Sequence, residues 1–187
     1  ISMVCEGPWG VFPMSTPLIG RHNIANIAAA AAASLALGIP ATAIQQGVAN
    51  FAQVPGRMEC LLSDTGVRAV IDYAHTADAL RLVLLALREL VRGRVIAVFG
   101  CGGDRDQTKR PAMGRIASLL TDAVILTSDN PRSEEPIDII HQIKSGFVPR
   151  FDDYQLLVDR EQAIVTALAM ARPDEVVLIA GKGHEAY

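Results

Sequence analysis

The chain has 187 residues, 50% of them apolar, 20% charged and 5% aromatic, with a net charge of -3. That is an ordinary globular composition, long enough for one domain and a smaller companion, and it excludes a disordered or fibrous chain. With no block of basic residues, an extended nucleic-acid surface is excluded as well.

Ile1-Ser2-Met3-Val4 opens the chain abruptly and reads like the interior of a longer protein. Glu6 and Pro8 fall where the apolar core of a secretory signal would run. Residues 1–21 hold prolines and glycines in short order and predict a strand or two, ending in the loop Pro17-Leu18-Ile19-Gly20. Residues 23–37 are strong helix formers, stopped by Gly38-Ile39-Pro40. The apolar stretch 24–37 within them is too short and too alanine-rich to span a bilayer. A second helix is expected over 40–50, and Val54-Pro55-Gly56 reads as a linker.

Beyond the linker the pattern changes. Residues 58–62 and 67–71 are short apolar strands around the turn Asp64-Thr65-Gly66. Over 76–91, Ala77, Leu80, Val83, Leu84 and Leu87 share one helical face. Strand 95–99, helix 111–120, strand 123–127 and helix 136–147 follow, and strand 154–158, helix 160–171 and strand 176–180 complete the set. Such alternation predicts an α/β fold with a mainly parallel sheet covered on both faces, one strand of the opening hairpin running antiparallel. Cys5, Cys60 and Cys101 stand far apart, with neither metal-ligand spacing nor an even count, which fits a reducing cytoplasm.

In a parallel sheet the working residues gather at the carboxyl ends of the strands. Those ends carry Asp72-Tyr73-Ala74-His75, then Gly100-Cys101-Gly102-Gly103-Asp104-Arg105, then Asp129-Asn130-Pro131-Arg132, then Gly181-Lys182-Gly183-His184-Glu185. The loop over 100–110 is dense in glycine and charge, and Arg105 stands where a dinucleotide fingerprint needs glycine or alanine. The turn ending in Arg132 offers a planar fork that can hold a carboxylate at two points, although Asp, Asn and Pro favour turns for their own reasons. Gly181-Lys182 lacks the Ser or Thr of a phosphate loop. Asp72 can take a sugar hydroxyl, while His75 or Thr76 can simply cap a helix. Asn23 and Asn26 lie one helical turn apart, and Asn23 can equally be an N-cap. Arg57 alone is an unremarkable linker charge.

In combination these residues resemble the Mur ligases. The resemblance rests on Gly20-Arg21-His22-Asn23-Ile24-Ala25-Asn26, Pro55-Gly56-Arg57-Met58-Glu59, Asp72-Tyr73-Ala74-His75-Thr76, the clusters at 99–106 and 109–111, Asp129-Asn130-Pro131-Arg132 and Gly181-Lys182-Gly183-His184-Glu185, in family order and spacing. It runs over residues 17–187 and is narrowest for the branch that adds meso-diaminopimelate. It implies that residues 1–54 end a central ATP-binding domain and that 55–187 form a Rossmann-like C-terminal domain. The activity it implies is ATP-driven, Mg2+-assisted amide formation in the cytoplasm, joining meso-diaminopimelate to UDP-MurNAc-L-Ala-D-Glu through an acyl phosphate during peptidoglycan-precursor synthesis.

By the same resemblance Asn23, Asn26, Arg57 and Asp72 face ATP, with Asp72 at the ribose. Arg105, Asp129, Asn130, Pro131, Arg132, Gly181 and Glu185 form the amino-acid pocket. The lysine-adding branch lacks the arginine of the turn, and diaminopimelate carries the second carboxylate that lysine lacks. The family's Gly-Lys-Thr phosphate loop and its modified lysine precede the stretch covered here. The chain is therefore expected to be a piece of a longer enzyme, without a complete catalytic set and without metal ligands of its own. The alternatives are a lysine-adding or folylpolyglutamate synthetase-like sister, and a fragment that only binds.

Overall fold

The computed structural model describes residues 1–185, which form two compact units divided between Val54 and Pro55. In the first unit, β1 (Ser2–Gly7) and β2 (Gly10–Ser15) make an antiparallel hairpin, followed by α1 (His22–Ala36) and α2 (Ala41–Asn50). Met14, Ile27, Ala31 and Ile44 form its small buried core. Much of the alanine run is exposed in this chain, and alanine's helix propensity supports α1.

The second unit is a six-stranded sheet in the order β3-β4-β8-β5-β6-β7. Its strands are β3 (Glu59–Leu62), β4 (Arg68–Asp72), β5 (Val95–Phe99), β6 (Ala123–Leu126), β7 (Tyr154–Leu156) and β8 (Val176–Ala180). Only the β3–β4 pair is antiparallel. Between strands run α3 (Ala77–Leu90), α4 (Lys109–Leu120), α5 (Pro136–Lys144) and α6 (Arg160–Met170). Every residue of β5 is buried, as a strand with helices on both faces requires. Alternation sorts the faces: Ile96, Val98, Ile125 and Val177 join Ala163 and Ala167 of α6, which leaves Val95, Ala97 and Phe99 for the opposite face.

Three crossovers carry the chain outward from β4 through β5 and β6 to β7, and α6 then returns it to insert β8 between β4 and β5. The strand order reverses there, and a doubly wound sheet opens its crevice at such a point, beyond the carboxyl ends of the strands. Element boundaries differ from the sequence expectation most at the start of α4 and the end of α5. Helix α4 begins at Lys109 rather than Pro111, because a proline in the first helical turn removes an N–H that has no partner anyway. Lys109 and Arg110 are thus helical residues, and Arg110 points into the interior at 0% exposure. Helix α5 is shorter than expected, and Thr127 and Val158 fall outside their strands.

Candidate active site

Four strand ends converge on one open pocket of about 440 Å³. Tyr73, His75 and Thr76 follow β4. Gly102, Arg105, Asp106 and Lys109 follow β5. Asp129, Asn130 and Arg132 follow β6, and Gly181 and Glu185 follow β8. Of the residues assigned to the amino acid, six meet here: Arg105, Asp129, Asn130, Arg132, Gly181 and Glu185. Pro131 does not line the pocket, but its carbonyl lies so near Gly103 that a Cβ there would meet it at 1.9 Å. Only glycine permits that approach.

Arg132 is exposed and sits in the left-handed region with φ 51. Its Nη1 donates to the Gly103 carbonyl at 2.7 Å, which fixes the guanidinium at one end while its planar fork offers further donors. Gly103 in turn donates its N–H to the Asn130 carbonyl at 2.9 Å. The loop after β5 and the turn after β6 are therefore stitched together beneath the two arginines. Asn130 also accepts from Lys182 at 3.0 Å, tying the turn to the loop after β8. Asp106 takes hydrogen bonds from Thr108, and these hold its carboxyl below the usual range. The pocket thus presents Arg105, Lys109 and Arg132 beside Asp106, Asp129 and Glu185, a balanced set of charges suited to a zwitterion.

Tyr73 anchors the other rim. Its hydroxyl donates to Glu185 Oε1 at 3.0 Å, and the Arg57 guanidinium lies 4.5 Å from its ring centre. Arg57 is exposed, and this cation–π contact orients it. Asp72 is buried at the end of β4, and its two oxygens accept the N–H groups of Met58 and Ala74 at 2.8 and 2.7 Å. Its evident work is to hold the loop carrying Arg57, with Met58 in a left-handed conformation at φ 48. Thr76 is the N-cap of α3, accepting from Ala79 at 3.2 Å, while His75 turns its Nδ1 back to the Tyr73 carbonyl.

Asn23 and Asn26 lie in the first unit. Asn23 is not an N-cap: Arg21 holds that place, and the Asn23 amide donates to the Ile19 carbonyl at 2.7 Å while its oxygen accepts from Asn26 at 3.2 Å. The pair borders a mostly apolar pocket of about 340 Å³, with Leu18, Ile27, Val48 and Phe51. Such walls suit a flat, weakly polar ring.

Sequence reasoning assigned no role to Lys109, whose ammonium donates to the His75 carbonyl at 2.8 Å at the pocket wall. Nor did it single out Arg160, which reaches from the start of α6 to the carbonyls of Ala180 and Ser128 and so braces two of the converging strand ends. A lone arginine after a strand carries no local signal of that kind.

A family model described as "Mur ligase, glutamate ligase domain" matches residues 56–183. The chain belongs to the Mur ligase family. It is 51% identical over 181 residues to the UDP-N-acetylmuramoyl-L-alanyl-D-glutamate–2,6-diaminopimelate ligase of Gloeobacter violaceus, a match covering 96% of this chain and 37% of that protein. The ligase of the same description from Clostridioides difficile is 47% identical over 171 residues, 91% of this chain and 35% of its own length. Among solved structures, a ligase of that description aligns with all of this chain at a TM-score of 0.70 and 40% identity, over 38% of its own length. Escherichia coli FolC in complex with ADP aligns at a TM-score of 0.74 with 24% identity, covering 96% of this chain and 41% of its own, which shows a shared fold. This Mur ligase chain thus spans a little over a third of the length of the curated relatives named here. None of its helices is long and apolar enough to cross a membrane, among the described residues.

Proposed function

We propose that this chain supplies the amino-acid half of the active site of a ligase that joins meso-diaminopimelate to UDP-MurNAc-L-Ala-D-Glu. The observation that carries the reading is the pocket at the strand ends, where Arg105 and Arg132 stand with Glu185 and Asp129 around one volume. A diamino diacid presents two carboxylates and two ammonium groups. Arg132 takes the distal carboxylate through its fork, and Glu185 faces the distal ammonium. The relatives' names, which specify 2,6-diaminopimelate, support the same substrate.

ATP phosphorylates the side-chain carboxylate of D-Glu, and the amine of the incoming amino acid attacks the resulting acyl phosphate. The new amide forms as the C–O bond to phosphate breaks, and the attacking neutral amine gives up one proton and keeps the other as the amide N–H. This chain's part is to hold the amine at the acyl carbon and to exclude other amino acids. In the nucleotide reading each unit is taken by itself: Asn23 and Asn26 of the first are ATP contacts, and in the second Arg57 reaches ATP and Asp72 offers its remaining lone pairs to the ribose. Mg2+ offsets phosphate charge in such transfers. Among the described residues no cluster of three or more His, Cys, Asp and Glu side chains forms a site for it. On this reading the product is a peptidoglycan precursor made in the cytoplasm for cell-wall growth.

The test is phosphate release from ATP by the full-length ligase carrying this chain. Release that requires both UDP-MurNAc-L-Ala-D-Glu and meso-diaminopimelate is expected. Equal release with lysine in place of diaminopimelate would reassign the chain to the lysine-adding branch.

A further inference from the structure

Arg110 lies in the first turn of α4 with its side chain at 0% exposure, a rare position for a guanidinium. It makes a two-point pair with Glu134, Nη1 to Oε2 at 2.7 Å and Nη2 to Oε1 at 2.8 Å. Nη1 also donates to Gln142 of α5 at 2.8 Å, and Nη2 to the Gly102 carbonyl at 3.2 Å. The Arg110 Nε is buried without a hydrogen-bond partner, so both terminal nitrogens carry the pairing, and Glu134 uses both of its oxygens in return. Oε1 accepts the Asp104 N–H at 2.7 Å and Oε2 accepts from Gln107 at 3.4 Å. One pair, buried on the arginine side and part-exposed at Glu134, therefore fastens the loop after β5, the turn after β6 and helix α5 together.

The fastening reaches the pocket through adjacent residues. Asp104 sits in the left-handed region at φ 52, and its carboxylate accepts from the Ser133 hydroxyl at 2.6 Å and the Ser133 N–H at 3.2 Å. Arg105 is the residue after Asp104, and Arg132 the residue before Ser133. The two arginines of the pocket thus project from the two positions that this network locks.

We infer that Arg110 and Glu134 are positioning residues for the amino-acid site, setting the spacing of Arg105 and Arg132 and thereby the choice of an amino acid with two carboxylates. This rests on the reading of the pocket given above. A buried ion pair is weak evidence for stability, because desolvation offsets most of its attraction, but it does impose one geometry on what it joins. Here it joins two loops, the segments of an α/β fold freest to drift, at the base of a site whose selectivity needs two guanidinium groups at one separation. Lysine cannot replace Arg110, because an ammonium is a point charge and does not fork.

Steady-state kinetics of the full-length ligase with Glu134→Gln and Arg110→Lys tests this, each variant being melted alongside the wild type. KM for diaminopimelate is expected to rise about tenfold or more, since an ångström of misplacement has effects of that order. KM for ATP and for the UDP-linked substrate should stay within about twofold, and the preference for diaminopimelate over lysine should fall. Should either variant fail to fold, Gln142→Ala, which removes one outer bond, should show a smaller rise of the same selective kind. Unchanged kinetics in folded variants would overturn the inference, and so would a rise shared equally by all three substrates, which marks a merely structural pair. A wild type that uses no diamino diacid overturns the reading of the pocket and the inference with it.

Discussion

Glu134 has its carboxyl pulled down to about 2, chiefly by hydrogen bonds from the Arg110 guanidinium and secondarily by the Asp104 N–H. A carboxyl lowered by folding contributes stability that is complete above its ordinary value of 4.5 and is lost as pH falls toward 2. The difference in melting temperature between the wild type and Glu134→Gln should therefore be constant above about pH 5 and shrink steadily below it. Melts between pH 2 and pH 7 check this, and a difference independent of pH would show that the charge of Glu134 does not matter. Arg132 stood out by a fork that suits a carboxylate, and Arg105 and Glu185 by the family resemblance; the structure brings all three to one pocket. Arg110 and Glu134 did not stand out, because in a stretch crowded with charge nothing local separates a buried guanidinium from a solvated one. Asn23 illustrates the same limit, since its hydrogen bond back to Ile19 depends on how the chain enters α1.

At the scale of elements, α4 and α5 touch where Gly114 faces Ile143. A Cβ on Gly114 would meet the Ile143 carbonyl oxygen at 1.9 Å, backbone that cannot step aside. Gly114→Ala should cost about 1–3 kcal/mol through overpacking, despite the better helix propensity of alanine. Gly47 in α2 has nothing within 4 Å of a new Cβ, so Gly47→Ala should gain roughly 0.5–1 kcal/mol. Urea unfolding of both variants measures the contrast, and equal effects of one sign would contradict it. The order and type of the elements were readable because periodicity, glycine and proline are local signals. The place of β8 between β4 and β5 was not, since strand order depends on which crossover covers which face. Helix ends moved by a few residues, and the early start of α4, which a first-turn proline allows, takes in Lys109 and Arg110 with their partners at the pocket and beneath it.

Over the whole molecule the two units differ in what they bury. The second has a sheet whose central strands are covered on both faces. In the first, four residues form the buried core, while Val4, Trp9, Val11 and Leu37 are at least half exposed. In this chain taken by itself, backbone amides of α1 should accordingly exchange with solvent much faster than those of β5, because local opening tracks buried apolar contact. Equal protection of the two by hydrogen exchange would contradict that. In the proposed function the second unit reads an amino acid with two carboxylates through Arg132. The measurement that tests it most directly is the ratio of kcat/KM for diaminopimelate to that for lysine in the full-length ligase, with and without Arg132→Ala. A charge-assisted hydrogen bond contributes about 1.5–3 kcal/mol, so losing a two-point contact should lower the ratio by roughly one to three decades while KM for ATP stays in place. A ratio unchanged by the substitution would show that Arg132 does not read the second carboxylate and would contradict the account.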